Sequence, residues 1–342
     1  MAIVILQLPE VKSNEEKRPE KCPYCPGNTF QRWGGRVRKI KDPQIKEVVV
    51  YRYRCCGCKR TFRHNPKGIS RARQSERMKK LAAISWSRGL SHRGVSLILT
   101  AFGQLLSHMS SWRDVQEEGK IIQRRLQWQP TRIVGVDGAW LRGEGVMVAV
   151  DMGNGQLLSV GQIDEKDMIA VLGWLFELKQ KHGIGAIITD DLAMYRPITE
   201  KLELDHQVCQ FHVRRWVGRA RRQLASRLPE EWLWMLEEIK RIMEELPPDS
   251  SKLLLQMYKQ LPGNWKHGQE RTAVDELRLL LIRLSESWDR YTTFFHDATI
   301  PWTNNLSEQM IGKIKMRART VRGYKSPSGM QNGMLVSAAC FS

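Results

Sequence analysis

Short apolar runs punctuated by glycine fill the middle of this 342-residue chain. Arg132-Ile-Val-Gly-Val-Asp137, Val146-Met-Val-Ala-Val-Asp151 and Gln156–Ile163 predict three strands. Runs of β-branched residues favour extended chain, and the Gly-rich segments Arg142–Gly145 and Met152–Gly155 favour turns. Asp167–Gln180 carries Ile169, Leu172, Leu175 and Leu178 on one stripe and predicts a helix. Gly185–Asp190 is a fourth, buried strand and Gln207–Gln210 a further one. Three strands, a helix and another strand imply an α/β sheet. Farther on, Trp232, Met235, Leu236, Ile239, Met243 and Leu246 form a helical stripe. Pro247-Pro248 breaks it, and Leu277–Phe295 forms another.

The amino-terminal third has a different pattern. Gln31–Gly35 and Glu47–Arg54 read as strands. Ser75–Gly89, Ser91–Leu99 and Ser107–Glu118 read as three short helices, the second and third each opened by a serine able to cap it. With the glycine turn at Gly103 they suggest a helix-turn-helix, whose third helix would present His108, Ser111 and Arg113. The opening Met1–Glu10 reads as a first strand, because it lacks the basic n-region of a signal peptide. No stretch approaches the roughly 18 apolar residues of a membrane span, and a cytoplasmic location is expected.

Charge sharpens this division. The chain carries a formal net charge of +19. Residues 1–130 hold 27 basic and 10 acidic side chains, whereas residues 131–342 hold 28 and 26. Charge concentrated in one third is the footprint expected for a polyanion partner. A membrane surface is the rival, but it calls for a basic amphipathic helix with a bulky apolar face. Arg36, Arg38, Arg52, Arg54, Lys59 and Arg60 are candidate phosphate contacts, or else a solvated basic surface.

Five of the seven cysteines lie within 37 residues, and the odd total argues against a disulfide framework. Cys22-Pro-Tyr-Cys25 and Cys55-Cys56-Gly-Cys58 are two CxxC knuckles, each able to aim two thiolates at one tetrahedral Zn²⁺. Cys22, Cys25, Cys55 and Cys58 are the expected ligands of a zinc ribbon, with Cys56 a neighbour.

Three acids are candidates for chemistry. Asp137 and Asp190 both follow apolar strands, where sites in α/β sheets form. Two such carboxylates repel each other unless cations lie between them, and a pair of Mg²⁺ ions would resolve this and support phosphodiester chemistry. Asp151 and Asp191 are nearby competitors. The third acid is Glu308, in Thr303-Asn-Asn-Leu-Ser-Glu308, where Asn305 and Glu308 share a helix face and also have the form of a capping box. No acid follows Glu308. The remaining charged residues, among them Lys313, Lys315, Arg317, Arg319, Arg322 and Lys325, are all basic.

These residues resemble those of bacterial insertion-sequence DDE transposases, in particular the Mutator-like type with an amino-terminal zinc ribbon. The likeness rests on Val134-Gly-Val-Asp137-Gly, Thr189-Asp190-Asp-Leu-Ala-Met-Tyr195, Cys209-Gln-Phe-His212, Thr303–Glu308 and Gly323-Tyr-Lys-Ser326. It implies an α/β RNase H-like catalytic core with an all-helical insertion, preceded by a zinc ribbon and a helix-turn-helix. It implies Asp137, Asp190 and Glu308 as the Mg²⁺ (or Mn²⁺) ligands, with Asp191 left open as a sharer. Cys209 and His212 match the family's C-x-x-H element. Read alone, that pair is half a zinc site without another half, and packing near the active centre is the expected role.

The domains expected are a ribbon at 1–70, a helix-turn-helix at 71–125, core at 126–212, a helical insertion at 213–297, and core again at 298–342. The function implied is a DNA transposase that binds the ends of an insertion sequence and catalyses Mg-dependent cleavage and strand transfer. Element ends and target DNA are the expected partners, together with a second copy of the chain as a homodimer. Arg214, Arg215, Lys313, Lys315, Arg317 and Arg319 join the candidate DNA contacts. The alternative is a zinc-ribbon regulator with an inactive RNase H-like domain.

Overall fold

The structure is a computed structural model that describes residues 8–15, 17–126, 130–141, 143–263, 270–321 and 324–339. Most of the expected first strand, Arg142, Arg322, Gly323 and Cys340 lie outside the described residues. The chain divides into two compact units. One is Met1–Arg125 together with Lys313–Ser342, and the other is Leu126–Gly312.

In the first unit an antiparallel sheet runs β1 (Phe30–Lys39), β2 (Glu47–Cys55), β3 (Thr61–His64). Two small cores flank it. Val11, Ile40, Val48, Val50 and Ile69 form one, and Cys22, Phe30, Tyr53, Cys55 and Phe62 the other. Both are too small to hold a fold by apolar burial alone. Three helices follow: α1 (Glu76–Ser87), α2 (His92–Ala101) and α3 (His108–Leu126). Ser91 and Ser107 accept from the amides of Gly94 and Ser110 at 3.0 and 3.1 Å, as their capping positions suggest, and Ser75 accepts from the amide of Met78 at 3.1 Å in the same way. The third helix runs past Glu118 because Val115 and Ile122 keep its apolar face buried. Ser111 is buried with its Oγ 3.1 Å from His92 Nδ1, so it cannot be presented outward as expected.

The second unit is built on a five-stranded sheet. β4 (Ile133–Leu141), β5 (Glu144–Asp151) and β6 (Leu157–Gly161) form an antiparallel meander. The helix α4 (Met168–His182) then carries the chain to β7 (Ala186–Thr189), which lies parallel to β4. Asp167 caps α4 and Gly183 ends it in the left-handed conformation. The short α5 (Tyr195–Leu202) leads to β8 (Asp205–Val208), parallel to β7. The spatial order is β6-β5-β4-β7-β8. Val134, Val136, Met147, Ala149 and Leu158 pack with Val171, Leu175 and Leu178 of α4 on one face of the sheet.

Two strand expectations change. Asp137 does not end its strand, because Gly138–Leu141 continue to pair with β5. Cys209 lies beyond β8 and is the N-cap residue of α6 (Gln210–Ala225). α7 (Leu233–Glu245), α8 (Ser250–Gln260), α9 (Ala273–Tyr291) and the short α10 (Thr293–His296) follow. α6 to α9 share a core of their own around Val217, Leu236, Ile239, Leu254, Leu281 and Trp288.

The helix α11 (Asn305–Thr320) begins in the sheet unit, and from Lys313 onward the chain is grouped with residues 1–125. The expected core segment 298–342 is therefore divided after Gly312. The physical reason is local packing in the first unit. In α12 (Pro327–Ala339), Asn332 donates its side-chain amide to Gln116 Oε1 at 2.8 Å. A Cβ on Gly119 would meet Asn332 Cβ at 2.6 Å, so α3 and α12 touch backbone to backbone there.

Candidate active site and zinc site

Side chains alternate between sheet faces, so Asp137 shares a face with Gly135 and opposes the Val134–Val136 core face. Gly135 pairs in register with Ile188 of β7. Two residues farther along each strand stand Asp137 and Asp190. The pairing of β4 with β7 stops at Gly135, which leaves both carboxylates beyond the last ladder bond.

The start of α11 docks on that same face. A Cβ on Gly135 would lie 2.3 Å from Ser307 Oγ, 2.4 Å from Asn304 Oδ1 and 2.5 Å from Met152 Sδ. Only glycine permits this approach. Buried Asn304 donates its side-chain amide to Val136 O at 2.7 Å and its backbone amide to Cys209 Sγ at 3.3 Å. These two bonds fix the first turn of α11, and with it Glu308. Asn305, the expected support, is exposed, and its neighbour Asn304 performs that task.

Asp137 comes within electrostatic reach of both Glu308 and Asp190. Burial, then the charge of Glu165 and, more weakly, Glu308, raise the Asp137 carboxyl to about 6. Burial, then Glu165 and Asp137, raise Asp190 to about 7. A carboxylate shifts this far when water is scarce and like charges are close. Asp190 Oδ1 and Glu308 Oε1 are both buried without a hydrogen-bond partner. Hard oxygen donors, mutual repulsion and orphaned oxygens fit a divalent cation such as Mg²⁺.

Glu165, missed in the sequence, is a fourth acid at this place. Its Oε2 would lie 2.5 Å from a Cβ on Gly138, and its Oε1 accepts from Tyr195 at 2.7 Å. Burial raises its own pKa. The two competitors are accounted for structurally. Asp151 accepts from the Gly153 amide at 2.7 Å as a turn residue. Asp191 Oδ2 accepts from Arg283 at 2.6 Å and from the Tyr291 hydroxyl at 2.8 Å, both on α9.

His212, in the first turn of α6, places Nδ1 3.6 Å from Glu308 Oε1. Cys209 Sγ, a His212 ring nitrogen and a Glu308 oxygen all lie within 4.8 Å of one another. The closeness of Cys209 raises the His212 pKa against the effect of burial. On Cys209, burial acts upward, but the nearby His212 and the Asn304 amide outweigh it and lower the thiol.

In the first unit, Cys22, Cys25, Cys55 and Cys58 converge. Sulfur separations are 3.7 Å for Cys22–Cys58 and 3.6 Å for Cys25–Cys55. A tetrahedral Zn–S₄ centre with bonds near 2.3 Å requires about 3.8 Å between sulfurs. The four thiols therefore fit zinc. Cys56 stands outside the cluster, its amide bonded to Thr29 O at 3.0 Å.

The candidate DNA contacts divide by exposure. Arg36, Arg52, Lys59, Arg60, His108, Arg113, Arg214, Arg215 and Arg319 are exposed. Arg38, Arg54, Lys313 and Lys315 are half-buried, and Arg38 donates to Ser70 O at 2.7 Å. Arg317 cannot contact DNA. It is only 2% exposed, lies 4.1 Å over the Trp86 ring and donates to Leu90 O at 3.0 Å.

Residues 176–332 match the family profile described as "Transposase IS66 family". The match includes Asp190, Cys209, His212 and Glu308, and it is to a family other than the Mutator-like type that the motifs suggested. The catalytic core domain of BIV integrase is a similar solved structure. It shows 14% identity and a TM-score of 0.21, covering 45% of this chain and 83% of that one. That score is too low to bear on the fold, which rests here on the sheet order itself. No curated protein matches the chain. Among the described residues, no helix is long and apolar enough to cross a membrane.

Proposed function

We propose that this chain is a DNA transposase with an RNase H-like catalytic core, in which Asp137, Asp190 and Glu308 hold two Mg²⁺ (or Mn²⁺) ions. The observation that carries the reading is the approach of these carboxylates from β4, the end of β7 and α11, where burial and the charge of Glu165 push both aspartates toward their neutral forms, with Glu308 adding to the effect on Asp137 and Asp137 to that on Asp190. Bound there, the ions would lower the pKa of an attacking water or 3′-OH and stabilise the leaving 3′ oxygen.

The protein's own residues supply the frame. Gly135 and Asn304 set the position of Glu308, and Tyr195 anchors Glu165 beside the aspartates. Glu165 adds negative charge beside the aspartates, which raises their pKa values and favours a cation there. The ribbon, holding Zn²⁺ on four thiolates, and the three helices bind the terminal repeats of the element through phosphate contacts and a helix in the major groove. The protein works in the cytoplasm at the nucleoid, as a homodimer that pairs two DNA ends.

The test is strand cleavage and strand transfer on the element's own ends with Mg²⁺. Asp137→Ala should reduce both to background while end binding is kept. Retained cleavage in that variant overturns the assignment.

A further inference from the structure

The C-x-x-H element is half a metal site in sequence, and the fold supplies the other half. Glu308, 96 residues beyond His212, arrives on α11 beside it. Sulfur, imidazole nitrogen and carboxylate oxygen then converge from the N-cap and first turn of α6 and the first turn of α11.

The spacing says more. His212 Nδ1 and Glu308 Oε1 are both shut off from solvent and without a hydrogen-bond partner. At 3.6 Å they are too far apart to bond to each other. Two ligands at about 2.1 Å from a tetrahedral Zn²⁺ stand about 3.4 Å apart. The gap is therefore the edge of a coordination tetrahedron more nearly than a hydrogen bond. Cys209 is fully buried, and its sulfur accepts the Asn304 amide at 3.3 Å. An amide directed at a ligating sulfur is the outer support that metal thiolates use. A thiol–imidazole–carboxylate set suits a borderline-soft ion, whereas Mg²⁺ selects oxygen.

We propose that Cys209, His212 and Glu308 bind a zinc ion, distinct from the ribbon zinc and adjacent to the carboxylate pair Asp137–Asp190. Three protein ligands leave a fourth position for water or a phosphate oxygen. A carboxylate has two oxygens, so Glu308 can serve this ion with one and the aspartates' ions with the other. The inference deepens the proposed function at its own site, but its test counts metal rather than cleavage.

The full chain, purified from zinc-supplemented medium without chelator, is to be measured by elemental mass spectrometry. Two equivalents of zinc per chain are expected. His212→Asn and Cys209→Ser should each retain one. The double variant Cys22→Ser/Cys25→Ser should also retain one, and excess Mg²⁺ should not displace it. When that ribbon variant is loaded with Co²⁺, it should show tetrahedral absorption with a single thiolate-to-metal band. This signal needs no second variant to fold. Two results overturn the site: zinc content in His212→Asn and Cys209→Ser equal to wild type, or a ribbon variant with no zinc and no such absorption. Two equivalents of zinc without DNA cleavage would sink the transposition reading and leave the zinc site standing.

Discussion

The ribbon and the carboxylate cluster both gather metal-binding side chains, but they do so by opposite means. The ribbon draws its four thiols from two knuckles joined by β1 and β2, with two small apolar clusters beside them. The cluster draws its acids from positions separated by 53 and 118 residues, and two sizeable cores, one under the sheet and one among the helices, hold the frame. Where the core is small, four thiols stand at the spacing of a zinc centre that would make the fold. Where the core is large, the fold holds the acids in place, and strong repulsion among them is tolerated.

The largest effect that would break this contrast is chelation. Removing zinc should unfold the ribbon, because structural zinc contributes on the order of 10 kcal/mol to folding such a module. Limited proteolysis should then cut within residues 17–70 and spare the sheet unit. Equal loss of both units would mean that the two sites do not differ as described.

Next is Gly135→Ala. The added methyl would press on Ser307, Asn304 and Met152 within 2.5 Å. Overpacking of this kind costs about 1–3 kcal/mol. Because the displaced element carries Glu308, Mg²⁺-dependent cleavage should fall far more than the melting temperature does. A proportionate fall in both would mean that the close approach serves stability alone.

The acids should also write a pH signature. Asp137 and Asp190 sit at about 6 and about 7 in the folded chain, above the ordinary value near 3.9. Between about pH 4 and 7 the folded state therefore binds more protons than the unfolded state. The contribution of these two groups to the stability of the metal-free chain falls as pH rises through this window, against an opposite contribution from His92 and His206, whose pKa values burial lowers to about 4 and about 3. Mg²⁺ should flatten that slope, and its affinity should weaken below about pH 6. Thermal melts across pH with and without Mg²⁺ read both. An Asp137→Asn/Asp190→Asn chain whose stability has the same pH slope as the wild type would contradict the crowding.

The smallest effect belongs to Asp191→Asn. It removes an ion pair with a half-exposed arginine and should cost about 0.5–1.5 kcal/mol. The dependence of cleavage on Mg²⁺ should stay as in the wild type. A shift in that dependence would make Asp191 a ligand after all.

Much of this was legible in sequence, for reasons of range. The ribbon cysteines announce themselves by local spacing, and the β4 and β7 strands by apolar runs that end near an acid. Glu308 was legible through its motif rather than by geometry, since nothing local links it to Asp190. Glu165 was not legible, because Asp164-Glu-Lys-Asp167 looks like a solvated turn until Gly138 and Tyr195 are seen against it. Arg317 misled because residue type says charge, whereas burial depends on Trp86 and on a carbonyl 227 residues away. Asn304 and Asn305 are indistinguishable by type, and only the docking of α11 on Gly135 decides which one turns inward. The Cys209–His212 pair lacked a partner for the same reason.

The tether on Asp191 has a consequence for the helices that follow β8. Two aspartates stand side by side after β7, and chemically either could capture a cation. Arg283 and Tyr291 of α9 occupy one of them. The helical bundle thus acts as a chaperone of ligand choice, tying down Asp191 while Asp190 Oδ1 stays without a partner. If the proposed site is correct, a shortened chain that keeps the sheet but lacks α9 would free Asp191 to compete with Asp190 for the cation.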